Sequence, residues 1–238
     1  MFCDEYTNHF DVEIGKKTIL LLNELGYNVL MPDHSESARA YISKGFLEEA
    51  KTIATENVST FSTLVSKDTP LVGIEPSAIL GFRDEYPNLV DAPLKSTADD
   101  LAKNVFTIEE FLANEMKANK IDVSKFTTKT ETVYYHGHCH QKALSSNSYA
   151  ETILSIPSNF KVKSIDFGCC GMAGSFGYEK EHYKLSQQIG EDRLFPSLRE
   201  LKSKEIVSAS GTSCRHQIKD GVNKTALHPI EVLYNALN

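Results

Sequence analysis

The chain has 238 residues, 41% of them hydrophobic and 24% charged, the composition of a globular protein long enough to bury a real core. A net charge of −7 with no basic stripe excludes nucleic acid as the expected partner. No apolar run is long enough for a transmembrane segment, and the opening MFCDEYTNHFDVE carries acids where a signal peptide needs an apolar stretch. The expected location is therefore the reducing cytoplasm, or peripherally the inner face of the cell membrane. In that compartment clustered thiols bind metal more often than they pair.

In chain order, residues 1–3 read as the stub of a strand. A helix is expected over 14–25, with Ile14, Thr18, Leu21, Leu22 and Leu25 on one face. A strand over 27–31, a helix over 47–65 and a strand over 70–74 follow. Residues 91–129 are polar and read as connecting helices, one of them 108–116. Strands are expected over 133–136, 162–166 and 205–209, and helices over 178–194 and 229–237. Strands alternating with helices imply βαβ units, hence an α/β fold with mostly parallel sheets.

The order of elements repeats with a period of about 135 residues. Laying ESARA on CCGMA and EPSA on GTSC aligns strand with strand. The expectation is two pseudo-symmetric Rossmann-like lobes, 1–125 and 126–238. In this alignment Cys169 and Cys170 face Glu36 and Ser37, Cys214 faces Ala78, and Cys139 falls near Tyr6 and Thr7. The first lobe is thus expected to lack metal ligands, with Arg39, Glu75 and Asp84 near its equivalent edge.

Four of the five cysteines, Cys139, Cys169, Cys170 and Cys214, form the pattern C-x29-C-C-x43-C. Each lies where a strand gives way to a loop or helix. In a parallel sheet, ligands collect beyond the carboxyl ends of the strands, so the four thiols are expected at one edge. Four thiolates suit an iron–sulfur cluster of the 4Fe-4S type or a tetrahedral zinc ion. Gly168, Gly171 and Gly174 flank the pair and allow close backbone approach to a bulky inorganic group. His136, His138, His140 and His216 crowd the same strand ends. Of these, His138 and His140, on either side of Cys139, are the best candidates to touch the bound group. His228 before Pro229 reads as a helix entrance, and Cys3 as a buried thiol. A Cys/His hydrolase built on Cys139 would leave the other three cysteines unexplained. No G-x-G-x-x-G follows a strand, so neither FAD nor NAD is expected on this chain.

HGHCHQKA, GCCGMAGSFG and SGTSCRHQI, followed by HPIEVL, resemble the cysteine-rich (CCG) domains of iron–sulfur oxidoreductases, the family of the cysteine-rich heterodisulfide reductase component. The likeness is strongest to the carboxyl-terminal part of bacterial FAD/iron–sulfur D-lactate or glycolate dehydrogenases. SARAYISKG and IEPSAILGFRDEY carry a weaker echo of a first such motif. The resemblance implies electron transfer in a flavin-dependent 2-hydroxyacid dehydrogenase. It also implies an FAD-containing domain or subunit and other iron–sulfur domains as partners, and a quinone or thiol-disulfide compound as acceptor. The motif often ends in C-x-x-C, giving five cysteines; here position 211 is Gly. The alternative is a zinc-bound structural or docking module of the same fold without a redox role.

Overall fold

The computed structural model describes residues 1–165 and 168–238. Among them are two parallel sheets. The smaller pairs β1 (Leu71–Gly73) with β2 (Val105–Thr107), and Phe2 bridges to Gly73 on the other side. The larger contains β3 (Glu131–His136), β4 (Phe160–Ser164), β5 (Ile206–Ala209) and β6 (Ala226–Leu227) in the order β4-β3-β5-β6, every pair parallel. The expected α/β class with mostly parallel sheets is what the chain adopts.

Several expected elements differ in detail. Residues 27–31 form no strand. Tyr27 and Val29 are half-buried, but Leu30 and Met31 face solvent, and the segment meets residue 1 through a lone hydrogen bond from the Met1 amino group to the Leu30 carbonyl. One bond makes no ladder. The stretch 91–129 is helical at Ala92–Ala102 and Ile108–Lys117, yet β2 lies between them. The expected helix 178–194 is broken into Tyr183–Asp192 and Leu194–Arg199. The strand expected over 162–166 is β4, and Asp166 lies outside the described residues.

The core explains why the two halves stay together. One cluster, with Phe2, Phe61, Phe82 and Tyr86, belongs to the first half, and another, with Phe195, Leu198, Val207 and Ile218, to the second. A third joins Leu21, Leu22 and Leu112 to Ile153, Ile230 and Leu233. Each such side chain contributes roughly 1.5–3 kcal/mol on full burial. The shared cluster is therefore worth far more than the half-buried ion pair Lys17–Glu231, 2.9 Å long.

Asp4 caps the helix Glu5–His9, accepting from the amides of Tyr6 and Thr7 at 3.0 Å each. Burial nevertheless pushes its carboxyl up to about 7. An acid whose folded pKa is raised lends full stability while protonated, and loses it as pH climbs from its unfolded value through the folded one. Asp4→Asn is therefore expected to gain on the wild type between pH 4 and pH 8, by at most about 4 kcal/mol. Urea unfolding of both proteins across that range measures the gap; a gap independent of pH refutes the assignment.

Candidate metal centre

β3 delivers the first thiol. It ends at His136, and Cys139 opens the helix Cys139–Leu144. β5 delivers the last: Gly211 caps the helix Thr212–Val222, with Cys214 in its first turn. Both thiols thus sit in the first turn of a helix. Cys169 and Cys170 arrive on the loop after β4. There Gly171 has φ +99°, and a Cβ on it would lie 2.1 Å from the Ser186 carbonyl oxygen. No other residue fits. The Gln217 side-chain amide pins this loop by donating to the carbonyls of Cys170, at 2.9 Å, and Ser186, at 3.1 Å. Nothing in the sequence pattern pointed to Gln217.

The thiols meet. Cys170 Sγ lies 3.5 Å from Cys214 Sγ, and Cys169 Sγ accepts the Gly171 amide at 3.3 Å. The neighbouring thiols of Cys139 and Cys170 draw the pKa of Cys169 down. Cys139, beside Cys169 and partly desolvated, is pushed up. Cys170, which donates its single S–H to Cys214 and lies beside Cys169, is pushed up as well, and Cys214 is drawn down by the bond it accepts. Cys170 and Cys214 are buried, while Cys139 is exposed. Four thiols sharing protons in this way can all ionise only if a cation offsets the charge. The donor set therefore fits a thiophilic metal or an iron–sulfur cluster.

A cavity of about 520 Å³ opens beside the cysteines, and both halves line it. Arg39 and Glu75, expected near the first half's edge, line this same cavity; Asp84 does not, and Glu85, which pairs with Arg39, takes its place. Glu75 is buried and joins the halves. It accepts from Ser77 N at 3.2 Å in its own helix cap and from Thr212 N at 2.8 Å across the cleft. Although burial alone raises its pKa, the surrounding His138, Thr212, Ser77 and Arg215 hold it below the usual value. Arg215 and Thr212 both bond Asp11, the former at 2.5 Å.

The first half repeats this geometry with other chemistry. Ala38 has φ +61° where the alignment sets it against Gly171. Glu5 opens its helix as Cys139 does, so Glu5, rather than Tyr6 or Thr7, is the counterpart of Cys139. The Ser37 amide and hydroxyl donate to the Glu5 carboxylate at 2.8 and 2.7 Å. A direct hydrogen-bonded pair thus stands where the second half gathers sulfur.

The histidines separate. His136 is fully buried next to Cys170 and Cys214. His138 sits over Gly211, its Cδ2 2.3 Å from where a Cβ would be, and its Nε2 is 3.9 Å from Glu75. His140 lines the cavity, with its pKa lowered by burial. His216 bonds the Tyr178 hydroxyl at 2.7 Å. His228 is a buried helix cap, as expected. The sequence singled out His138 and His140; the histidine among the buried thiols is His136.

No family model matches the chain. It is 28% identical over 232 residues to D-2-hydroxyglutarate dehydrogenase of Pantoea ananatis, covering 97% of this chain and 22% of that protein. Over 237 residues it is 27% identical to one subunit of the anaerobic glycerol-3-phosphate dehydrogenase of Escherichia coli, covering 98% of this chain and 57% of the relative. It is 24% identical to lactate utilization protein A of Bacillus licheniformis, covering 95% of this chain and 92% of the relative. The chain thus spans under a quarter of the first dehydrogenase. These relatives bear out the kinship expected from the cysteine motifs.

Proposed function

We propose that this chain, kin to parts of hydroxyacid and glycerol-phosphate dehydrogenases, is the iron–sulfur electron-transfer domain of a flavin-dependent 2-hydroxyacid dehydrogenase. The observation that carries the reading is the meeting of four thiols, from three separate segments, on the wall of a cavity shared by both halves. Cys139, Cys169, Cys170 and Cys214 would hold the centre. Gly171 donates its amide to the Cys169 sulfur, and Gly168, His138 and His140 stand around the set. A bound cluster supplies one-electron transfer. The chain's own residues fix the sulfur positions, screen the buried pair from water, and leave Cys139 facing the cavity. Hydride removal from a hydroxyacid needs an organic hydride acceptor, here proposed to be a flavin on another domain or subunit. In this reading residues 1–125 form a lobe that has exchanged its ligands for the Glu5–Ser37 pair, and 126–238 carry the centre. A quinone or a thiol-disulfide compound is the proposed acceptor. Among the described residues no helix is long and apolar enough to cross a membrane. The cytoplasm, or the inner membrane face, is the proposed location.

One observation favours zinc as a second reading. The ligand atoms of Cys170, Cys214 and His136 lie within 4.8 Å of one another, close enough to share a single ion. Visible absorption separates the two, because iron–sulfur charge transfer is coloured and zinc is not. The chain purified without oxygen is expected to be brown and to bind iron and sulfide. It is also expected to leave a dye acceptor unreduced with lactate, glycolate or 2-hydroxyglutarate until a flavin-bearing partner is added. Turnover by the flavin-free chain refutes the assignment.

A further inference from the structure

His136 is the residue the cysteine pattern does not explain. It ends β3 in the interior with no exposed surface, and among the described residues neither of its ring nitrogens has a hydrogen-bond partner. A neutral imidazole carries one donor and one acceptor, and leaving a buried polar atom unmet is destabilising. A hydrophobic residue would fill the position without that penalty. The neighbours of its ring are the two buried thiols: one ring nitrogen, Cys170 Sγ and Cys214 Sγ all lie within 4.8 Å of one another. In a tetrahedral site with metal–sulfur bonds near 2.3 Å and metal–nitrogen bonds near 2.0 Å, ligand atoms stand about 3.5–3.8 Å apart. These three atoms reach that spacing by side-chain shifts of about 1 Å.

His138 and His140 each leave one buried ring nitrogen unpartnered too, but among the described residues only His136 is grouped with the two buried thiols. His138 has its Nε2 toward Glu75 and fills the space over Gly211, and His140 faces the cavity. We propose that His136 is a direct ligand of the centre, bound through an imidazole nitrogen beside the Cys170 and Cys214 sulfurs. This rests on the thiol centre of the preceding reading and puts a nitrogen in the place of one of its outer thiolates, because a tetrahedral ion takes four donors. With His136 on the inner side, the innermost part of the site is a His–Cys–Cys set buried beyond the ends of β3, β4 and β5.

Cobalt(II), titrated without oxygen into the metal-free chain, serves as the probe. X-ray absorption at the cobalt edge of the wild type is expected to show sulfur ligands plus one imidazole. His136→Phe and His136→Asn are expected to lose the imidazole signal and weaken cobalt binding at least tenfold, while His138→Ala and His140→Ala keep the signal. A sulfur-only shell in the wild type overturns the inference, with no variant needed, so a misfolded substitution cannot rescue it. An imidazole that persists in His136→Phe or His136→Asn overturns it too. In either case the thiol centre stands so long as Cys170→Ser abolishes cobalt binding. Cobalt affinity unchanged in a Cys170→Ser, Cys214→Ser double variant sinks the thiol centre and the inference together.

Discussion

A chain carrying Cys170→Ser and Cys214→Ser is expected to retain almost no metal and to melt well below the wild type. Both thiols are buried, and they join the loop after β4 to the helix after β5. Binding to structural thiolate sites is worth about 10–16 kcal/mol for zinc in small folds, and that energy is folding energy. A loss of only a few kcal/mol of it exceeds what a typical point substitution removes. Serine is nearly isosteric, so packing changes little and the lost ligation dominates. Metal analysis and thermal melting of the double variant measure both effects, with Cys3→Ser as the control expected to change neither. Full metal content in the double variant would rule out the proposed centre.

Gly171→Ala is expected to be the most damaging single methyl group in the chain's second half. Two effects act there and can be separated. The first is strain: φ is +99°, outside the range an L-residue adopts readily. The second is overlap, because the added Cβ would sit 2.1 Å from a backbone oxygen at Ser186, which cannot turn aside. Gly26 has φ +91° with nothing within 4 Å of its Cβ position, so Gly26→Ala isolates the strain at about 1 kcal/mol. Gly171→Ala adds the overlap and is expected to lose roughly 3 kcal/mol or more in total, at the upper end of overpacking penalties. Equal losses in the two variants, measured by urea unfolding, would show that the loop yields and that the Ser186 contact does not hold the cysteine pair in place.

Periodicity and strand-end cysteines were enough to read the parallel α/β class and the convergence of the four thiols. What escaped did so for physical reasons. β2 and β6 are three and two residues long, too short for any alternation to register. Residues 27–31 have strand-like composition, but a strand exists only where a partner supplies a ladder, and no local pattern reports the partner. His138 and His140 drew attention by adjacency to Cys139. Successive residues entering a helix point different ways, however, and His136, three residues earlier on β3, is the one that turns inward to the sulfurs. Glu75 as a bridge and Gln217 as a clasp depend on groups 137 and 47 residues away, Thr212 N and the Cys170 carbonyl. Distances of that kind leave no trace in a local window.

The shared core cluster sets an order of events during synthesis. Leu21, Leu22 and Leu112 emerge early from the ribosome, yet they are covered by Ile230 and Leu233. Until residues 229–236 are out, that apolar face is bare and the first half stays unfinished. Cys139, Cys169 and Cys170 are by then already made, so the thiols wait on an incomplete scaffold, open to oxygen and to stray metals. If the proposed centre is loaded only on the finished scaffold, slow elongation between Cys170 and residue 236 is expected to reduce the yield of loaded protein.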